Sequence, residues 1–160
     1  MSDETMDRQD GPPLDTDASF KRGRRRRYTF SQLPDWVLFS DKASPGAKVL
    51  YWALYLHVNQ ERKDSMGDTR VWPGQKALLY ISGIKSRTSL RKYLVQLEKI
   101  SAVEWETGRN PKNPQRLQTV YTVHEEPEEG YQGPANIEEL YAAYRSFKAE
   151  QEASGSQDPA

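Results

Sequence analysis

The segment WPGQKALLYISGIKSRTSLRKYLVQLEKISAVEW, residues 72–105, decides how the chain is read. Pro73-Gly74 opens a helix through about Tyr80, with Ala77, Leu78 and Ile81 as core candidates, and Gly83 ends it. Ser86 caps a further helix through about Ile100. At about 100° per residue, Leu90, Tyr93, Leu94, Leu97 and Ile100 fall within an arc of roughly 120°. Arg87, Thr88, Arg91, Lys92, Val95 and Lys99 fall within a separate arc of roughly 140°. One face packs; the other presents positive charge.

Working outward from that segment, Ala102–Thr107 alternates, with Val103 and Trp105 on one face and Glu104 and Glu106 on the other. Residues 108–115 (GRNPKNPQ) have turn chemistry, and Leu117–Val123 alternates again. The two runs predict a β-hairpin, with Arg109 and Lys112 at its tip and Arg116 at the base of the loop. Upstream, Arg70-Val71-Trp72 suits a short strand. Ser44-Pro45 starts a helix to about Asn59 that is apolar on nearly every side and is expected to be buried on several. Pro34 opens a single turn through Phe39. Trp36, Trp52, Trp72 and Trp105 are all expected in the core, as is His57.

The ordered domain is expected to span 28–123. Residues 1–27 are assigned to a disordered acidic tail and a basic arm, KRGRRRR. Residues 124–135 read as an acidic linker. Residues 136–152 read as an amphipathic helix opened by a capping box at Asn136 and Glu139. Residues 153–160 read as a disordered tail. The stripe Ile137, Leu140, Tyr141, Tyr144 and Phe147 suits core packing first and a homodimer contact second.

The 160 residues carry 23 Lys and Arg against 23 Asp and Glu. That neutrality is a cancellation. Residues 1–20 have six acids and one base, 21–27 six bases and no acid, 28–123 fourteen bases and eight acids, and 124–160 two bases and nine acids. The segments are therefore −5, +6, +6 and −7. With no cysteine there are no disulfides, thiolate catalysis or cysteine-bound metal. Two histidines, 67 positions apart, offer no metal-site spacing. The sequence shows no P-loop, no GxGxxG pattern and no nucleophile–base pairing. The expectation is a protein that is not an enzyme and needs no cofactor. No apolar run approaches the roughly 18 residues of a membrane span, and no secretory h-region follows the N-terminus, so a cytoplasmic, nucleoid- or plasmid-associated location is expected.

The order helix, short strand, helix, turn, basic helix, hairpin resembles the winged helix-turn-helix of bacterial DNA-binding proteins. Pro73, Leu78, Gly83, Ile84, Ser86, Arg87, Leu90, Arg91, Leu97 and Glu98 hold positions matching that family's pattern. Four positions depart: Gly74 stands for a capping Ser, Leu79 for a small Ala, Ser89 for Thr and Ser101 for the Gly before the wing. "LPDWVL" and "SPGAKVLYWAL" also look like helix-turn-helix proteins of actinobacterial plasmids and phages.

The resemblance implies a mainly α fold with a small β-hairpin, an extra C-terminal helix and disordered ends. It implies double-stranded DNA as partner, in transcriptional regulation or plasmid or phage replication. Lys85, Ser86, Arg87, Thr88, Arg91 and Lys92 would read the major groove. Arg109, Lys112 and Arg116 of the wing, and Arg24, Arg25, Arg26 and Arg27 of the arm, would hold phosphates or a minor groove. The alternative is a winged-helix adaptor whose basic face meets an acidic protein partner.

Overall fold

The computed structural model describes residues 23–24, 33–61 and 68–155, with backbone alone for 59–61. The expected acidic tail, Arg25–Arg27 of the arm, Tyr28 and Phe30 lie outside the described residues. Two units divide between Gly133 and Pro134. The first, Gln32–Gly133, holds α1 (Asp35–Phe39), α2 (Pro45–Glu61), β1 (Arg70–Val71), α3 (Gln75–Ser82), α4 (Arg87–Lys99), β2 (Val103–Asn110) and β3 (Asn113–Val123). The second holds α5 (Ile137–Gly155). The fold is rich in helix with one small antiparallel sheet, ordered β1-β3-β2.

The core of the first unit forms around α2. Ala47, Leu50, Tyr51, Ala53, Leu54, Tyr55 and Val58 are buried against Val37, Val71, Leu78, Leu90, Leu94, Leu97, Val103, Tyr121 and Val123. The helix is not buried all round, as its composition suggested. Val49 is 40% exposed and Trp52 50%, because no described element covers that side. Trp72 is another correction: it follows the end of β1 on the sheet's rim and stays 39% exposed. In α3 only Leu78 is fully buried, with Leu79 packed beside it at the core's edge; Ala77 and Ile81 are exposed.

Two close approaches fix α2 against α4. Gly46 lies so near Tyr93 that a Cβ there would overlap the phenol ring. Beside it, the Ser44 amide and hydroxyl both donate to Gln96 Oε1, at 2.9 and 2.7 Å. The serine expected to cap α2 thus ties its start to α4.

The hairpin is longer than its composition predicts. Most of the expected loop 108–115 joins the strands, leaving Pro111-Lys112 as the turn. Val103 pairs with Val123 and Trp105 with Tyr121, so these residues face inward while Glu104 and Glu106 are exposed. β1 adds a third strand through Val71, opposite Tyr121.

Residues 124–133 are not a linker. The Trp36 indole N–H donates to Glu125 O at 2.9 Å, and Tyr51 Oη donates to His124 O at 2.7 Å. Tyr55 Oη donates to the Glu125 carboxylate at 3.2 Å, and Tyr131 packs edge-on against Trp36. The segment has no regular secondary structure, yet it is fastened to α1 and α2.

The α5 helix reaches Gly155, three residues past the expected end, and none of its residues is buried. Its stripe therefore does not join the core as expected. Asn136 caps it, with its side-chain oxygen accepting from Glu139 N at 2.9 Å, and Glu139 accepts from Ala135 N in return.

Ser101 has φ +58, the only positive φ among the described non-glycine residues. It ends α4 in a Schellman arrangement: its N–H bonds Glu98 O at 2.9 Å, and Ala102 N–H bonds Leu97 O at 2.8 Å. Glycine relieves that conformation but removes the exposed Ser101 Oγ bond to Glu128, so Ser101→Gly is expected to raise stability by only about 0.5 kcal/mol in urea unfolding.

Burial pushes the Tyr51 phenol well above its usual value, with the neighbouring Tyr55 and Glu125 adding to the shift. A folded-state pKa raised above the unfolded value stabilises the protein fully below about pH 10, and that contribution is lost as pH rises further. The urea midpoint should therefore fall above about pH 10. Tyr51→Phe should weaken this alkaline fall, at a cost of about 1 kcal/mol at neutral pH for the bond to His124.

Candidate nucleic-acid interface

The sequence places a start signal, an apolar stripe and a basic face on one helix, and α4 realises all three. Gly83 closes α3 in the left-handed conformation, φ +75, and its N–H bonds Leu79 O. Ser82 Oγ donates to Leu78 O at 2.6 Å, and Ile84 packs on the core edge. The chain then turns within four residues into α4. Ser86 caps this helix, its hydroxyl accepting from Ser89 N at 3.1 Å and donating to Ser89 Oγ at 3.0 Å. Ser86 was expected to contact DNA; in this structure its hydroxyl is already committed to the cap.

Leu90, Leu94 and Leu97 are buried, with Tyr93 and Ile100 packed beside them. Lys85, Arg87, Thr88, Arg91, Lys92 and Lys99 are exposed. Among the described residues, none of these five cations has an ion pair or a side-chain hydrogen bond. Glu98 is exposed on this helix as well. At about 100° per residue it falls within the basic arc, near the helix's end. The positive charge is therefore concentrated at the helix start, with Lys85 in the turn before it and Arg87, Arg91 and Lys92 in its first two turns, where no acid lies.

The outer half of the hairpin carries the second cluster. From Thr107 to Lys112 and back to Leu117 nearly every residue is exposed, with Leu117 at 76%. Asn110 Oδ1 accepts from Lys112 N at 2.9 Å, shaping the turn. Arg109 Nη1 donates to Pro114 O at 3.3 Å, while Lys112 and Arg116 have no such tie among the described residues. Pairing slips after Arg109↔Leu117, and Arg116 lies in that irregular stretch near the tip. An open concavity of about 350 Å³ lies alongside, lined by Trp72, Arg70, Arg109, Gly108 and Gln118. Arg70 is held there by Asp68 through a 2.8 Å ion pair, which also raises the guanidinium's pKa.

The residues expected to contact DNA at α4 and in the β2–β3 hairpin thus stand exposed within one unit, joined through the Ser101 turn. Arg24 is exposed in the other unit, and the remaining arm arginines fall outside the described residues. Among the described residues no group of three or more His, Asp or Glu could hold a metal ion, and no helix is long and apolar enough to cross a membrane.

Because Ser86 satisfies one of the amides that every helix start leaves open, Ser86→Ala should cost about 1 kcal/mol of unfolding free energy. Ser86→Asp, which also caps, should restore it in the same urea titration. Compared with family models, curated proteins and solved structures, the chain matches none.

Proposed function

We propose that the protein binds double-stranded DNA as a winged helix-turn-helix, in transcriptional regulation or in plasmid or phage replication. The observation that carries this reading is the basic face over the first two turns of α4, whose cations have no ion pairs among the described residues. Left exposed, they offer charge to an anionic partner. The element order α2, β1, α3, α4, β2, β3 and the sheet order β1-β3-β2 agree with a winged architecture.

In this reading α4 enters the major groove by its N-terminal end. Arg87 and Arg91 lie one turn apart on one face, suited to bidentate contact with guanine, and Thr88 and Lys92 flank them. Arg109, Lys112 and Arg116 of the hairpin, and the arm arginines, hold the adjacent backbone. The total charge of zero does not oppose this, since the cations concentrate at the contacting elements.

The test is binding of selected duplex DNA across a salt series. The expected log–log slope is about −0.9 for each phosphate neutralised. Arg87→Ala and Arg91→Ala should each cost about 1–3 kcal/mol on the selected site, and Lys112→Ala should weaken all duplexes and flatten the slope by about one. Unchanged affinity in the Arg87 and Arg91 double variant would remove the docking geometry. The exposed Val49, Trp52, Tyr80 and Ile81 favour a second reading, an adaptor for protein partners. A nuclease-resistant complex with no DNA retardation at low salt would select it.

A further inference from the structure

Beside the α4 face, the sheet presents a second surface to solvent. Val71, Val103, Tyr121 and Val123 turn inward, so the alternate residues of the strands look outward. The register sets these outward residues in rows: Glu106 beside Val120, and Gly108 beside Gln118. With Trp72 they border the open concavity of about 350 Å³. That volume lies near the lower end of ligand clefts, roughly 300–1,000 Å³. Its floor is bare at Gly108, where an added Cβ would meet nothing within 4 Å.

The lining joins three chemistries. Trp72 supplies aromatic surface, 39% exposed. The Glu106 carboxylate and the Gln118 amide have no hydrogen-bond partner among the described residues. Arg70 on β1 and Arg109 toward the hairpin's tip supply cations on either side of Glu106. Arg70 gives Nε–H and one Nη2–H to Asp68, at 3.0 and 2.8 Å, and Arg109 gives one N–H to Pro114. A guanidinium has five N–H groups, so both retain donors.

Together these groups select a ligand. Aromatic surface suits a flat ring, and a carboxylate beside it suits a ring edge that carries an amine. Guanidinium groups suit phosphate. One molecule unites the three: a nucleotide whose base is neither paired nor stacked in a duplex. A duplex keeps its base faces covered and offers this surface mainly phosphates, which Glu106 repels. We infer that the outer face of the sheet binds a nucleotide with an unpaired base, the ring against Trp72 over Gly108, its amine donating to Glu106, and its phosphates on Arg70 and Arg109. None of these residues lies on α4. Arg109 is shared with the duplex reading, so the test turns on Trp72, Glu106 and Gly108.

Fluorescence polarisation of the full chain with labelled single strands, twelve deoxycytidines or twelve thymidines, is the measurement. Cytosine carries an amine where thymine carries a carbonyl, so the deoxycytidine strand should bind more tightly. Glu106→Ala should bring the two strands level. Trp72→Ala should weaken the deoxycytidine strand about tenfold, within the range for loss of one stacked base. Gly108→Val should weaken it as much by filling the floor. Valine suits a strand and its Cβ meets no neighbour, so this variant should keep the native urea midpoint. Competition by deoxycytidine monophosphate tells the sources apart. Displacement at equal nucleotide concentration assigns the site to a free nucleotide, and displacement only at about a hundredfold excess assigns it to a strand. Native affinity for the deoxycytidine strand in both Trp72→Ala and Gly108→Val overturns the proposal, as does a native protein that binds neither strand nor monophosphate or does not prefer deoxycytidine to thymidine. Duplex affinity should be unchanged in Trp72→Ala and Glu106→Ala, which separates this site from α4.

Discussion

The placement of α2 is the constraint on which the first unit depends. It touches α1, α3, α4, β1 and β3, and Ala47, Leu50 and Leu54 are wholly shielded from solvent. Leucine side chains contribute roughly 1.5–3 kcal/mol each when buried, so losing one neighbouring element exposes a large part of the core. The N-terminal end of α2 is set by contact as well as by burial. Gly46 lets Tyr93 approach, and Gln96 binds Ser44 from the same helix. These contacts fix the rotation of α4 about its own axis. The direction in which Arg87 and Arg91 point is therefore decided on the opposite, packed side of the helix.

The acidic segment after β3 has a comparable structural part. Its backbone carbonyls accept from Trp36 and Tyr51, closing the end of the core beneath the sheet. Ser101 Oγ donates to Glu128 at 2.9 Å, so the same segment also steadies the tight turn that leads into the hairpin. An acidic segment that would read as solubility on composition alone thus serves the fold's closure.

Legibility in the sequence followed the range of the forces. The α4 helix was readable because cap, periodicity and charge are all local to it, and Ser86, Leu90, Leu94 and Leu97 play the parts their spacing assigns. Gly83 was readable because a left-handed helix end has few alternatives to glycine. The extent of the hairpin was not: Asn110, Asn113 and Pro114 have turn composition, and only pairing with the opposite strand makes them strand residues. Trp52 and Trp72 misled because hydrophobicity reports a preference for burial, not whether a neighbour is there to provide it. Residues 124–133 were missed because their anchors are largely main-chain carbonyls, which every residue has. The basic face is legible by periodicity, but Glu98 falls within it and shortens the effective surface to two turns.

The hairpin's outer half has a consequence for motion. Beyond Trp105 and Tyr121 it leaves the core, and what holds it are ladder bonds and cross-strand contacts such as Thr107 with Thr119, 2.9 Å apart. A two-stranded ribbon without a packed face is marginal in water. Amide protection should accordingly grade along each strand, deep at Val103 and Val123 and shallow toward Pro111, so that the ribbon opens from its tip as a unit of its own. Arg109, Lys112 and Arg116 would then ride on a segment whose ordering can be completed by whatever it grips, and the entropy of that ordering would be drawn from the binding energy.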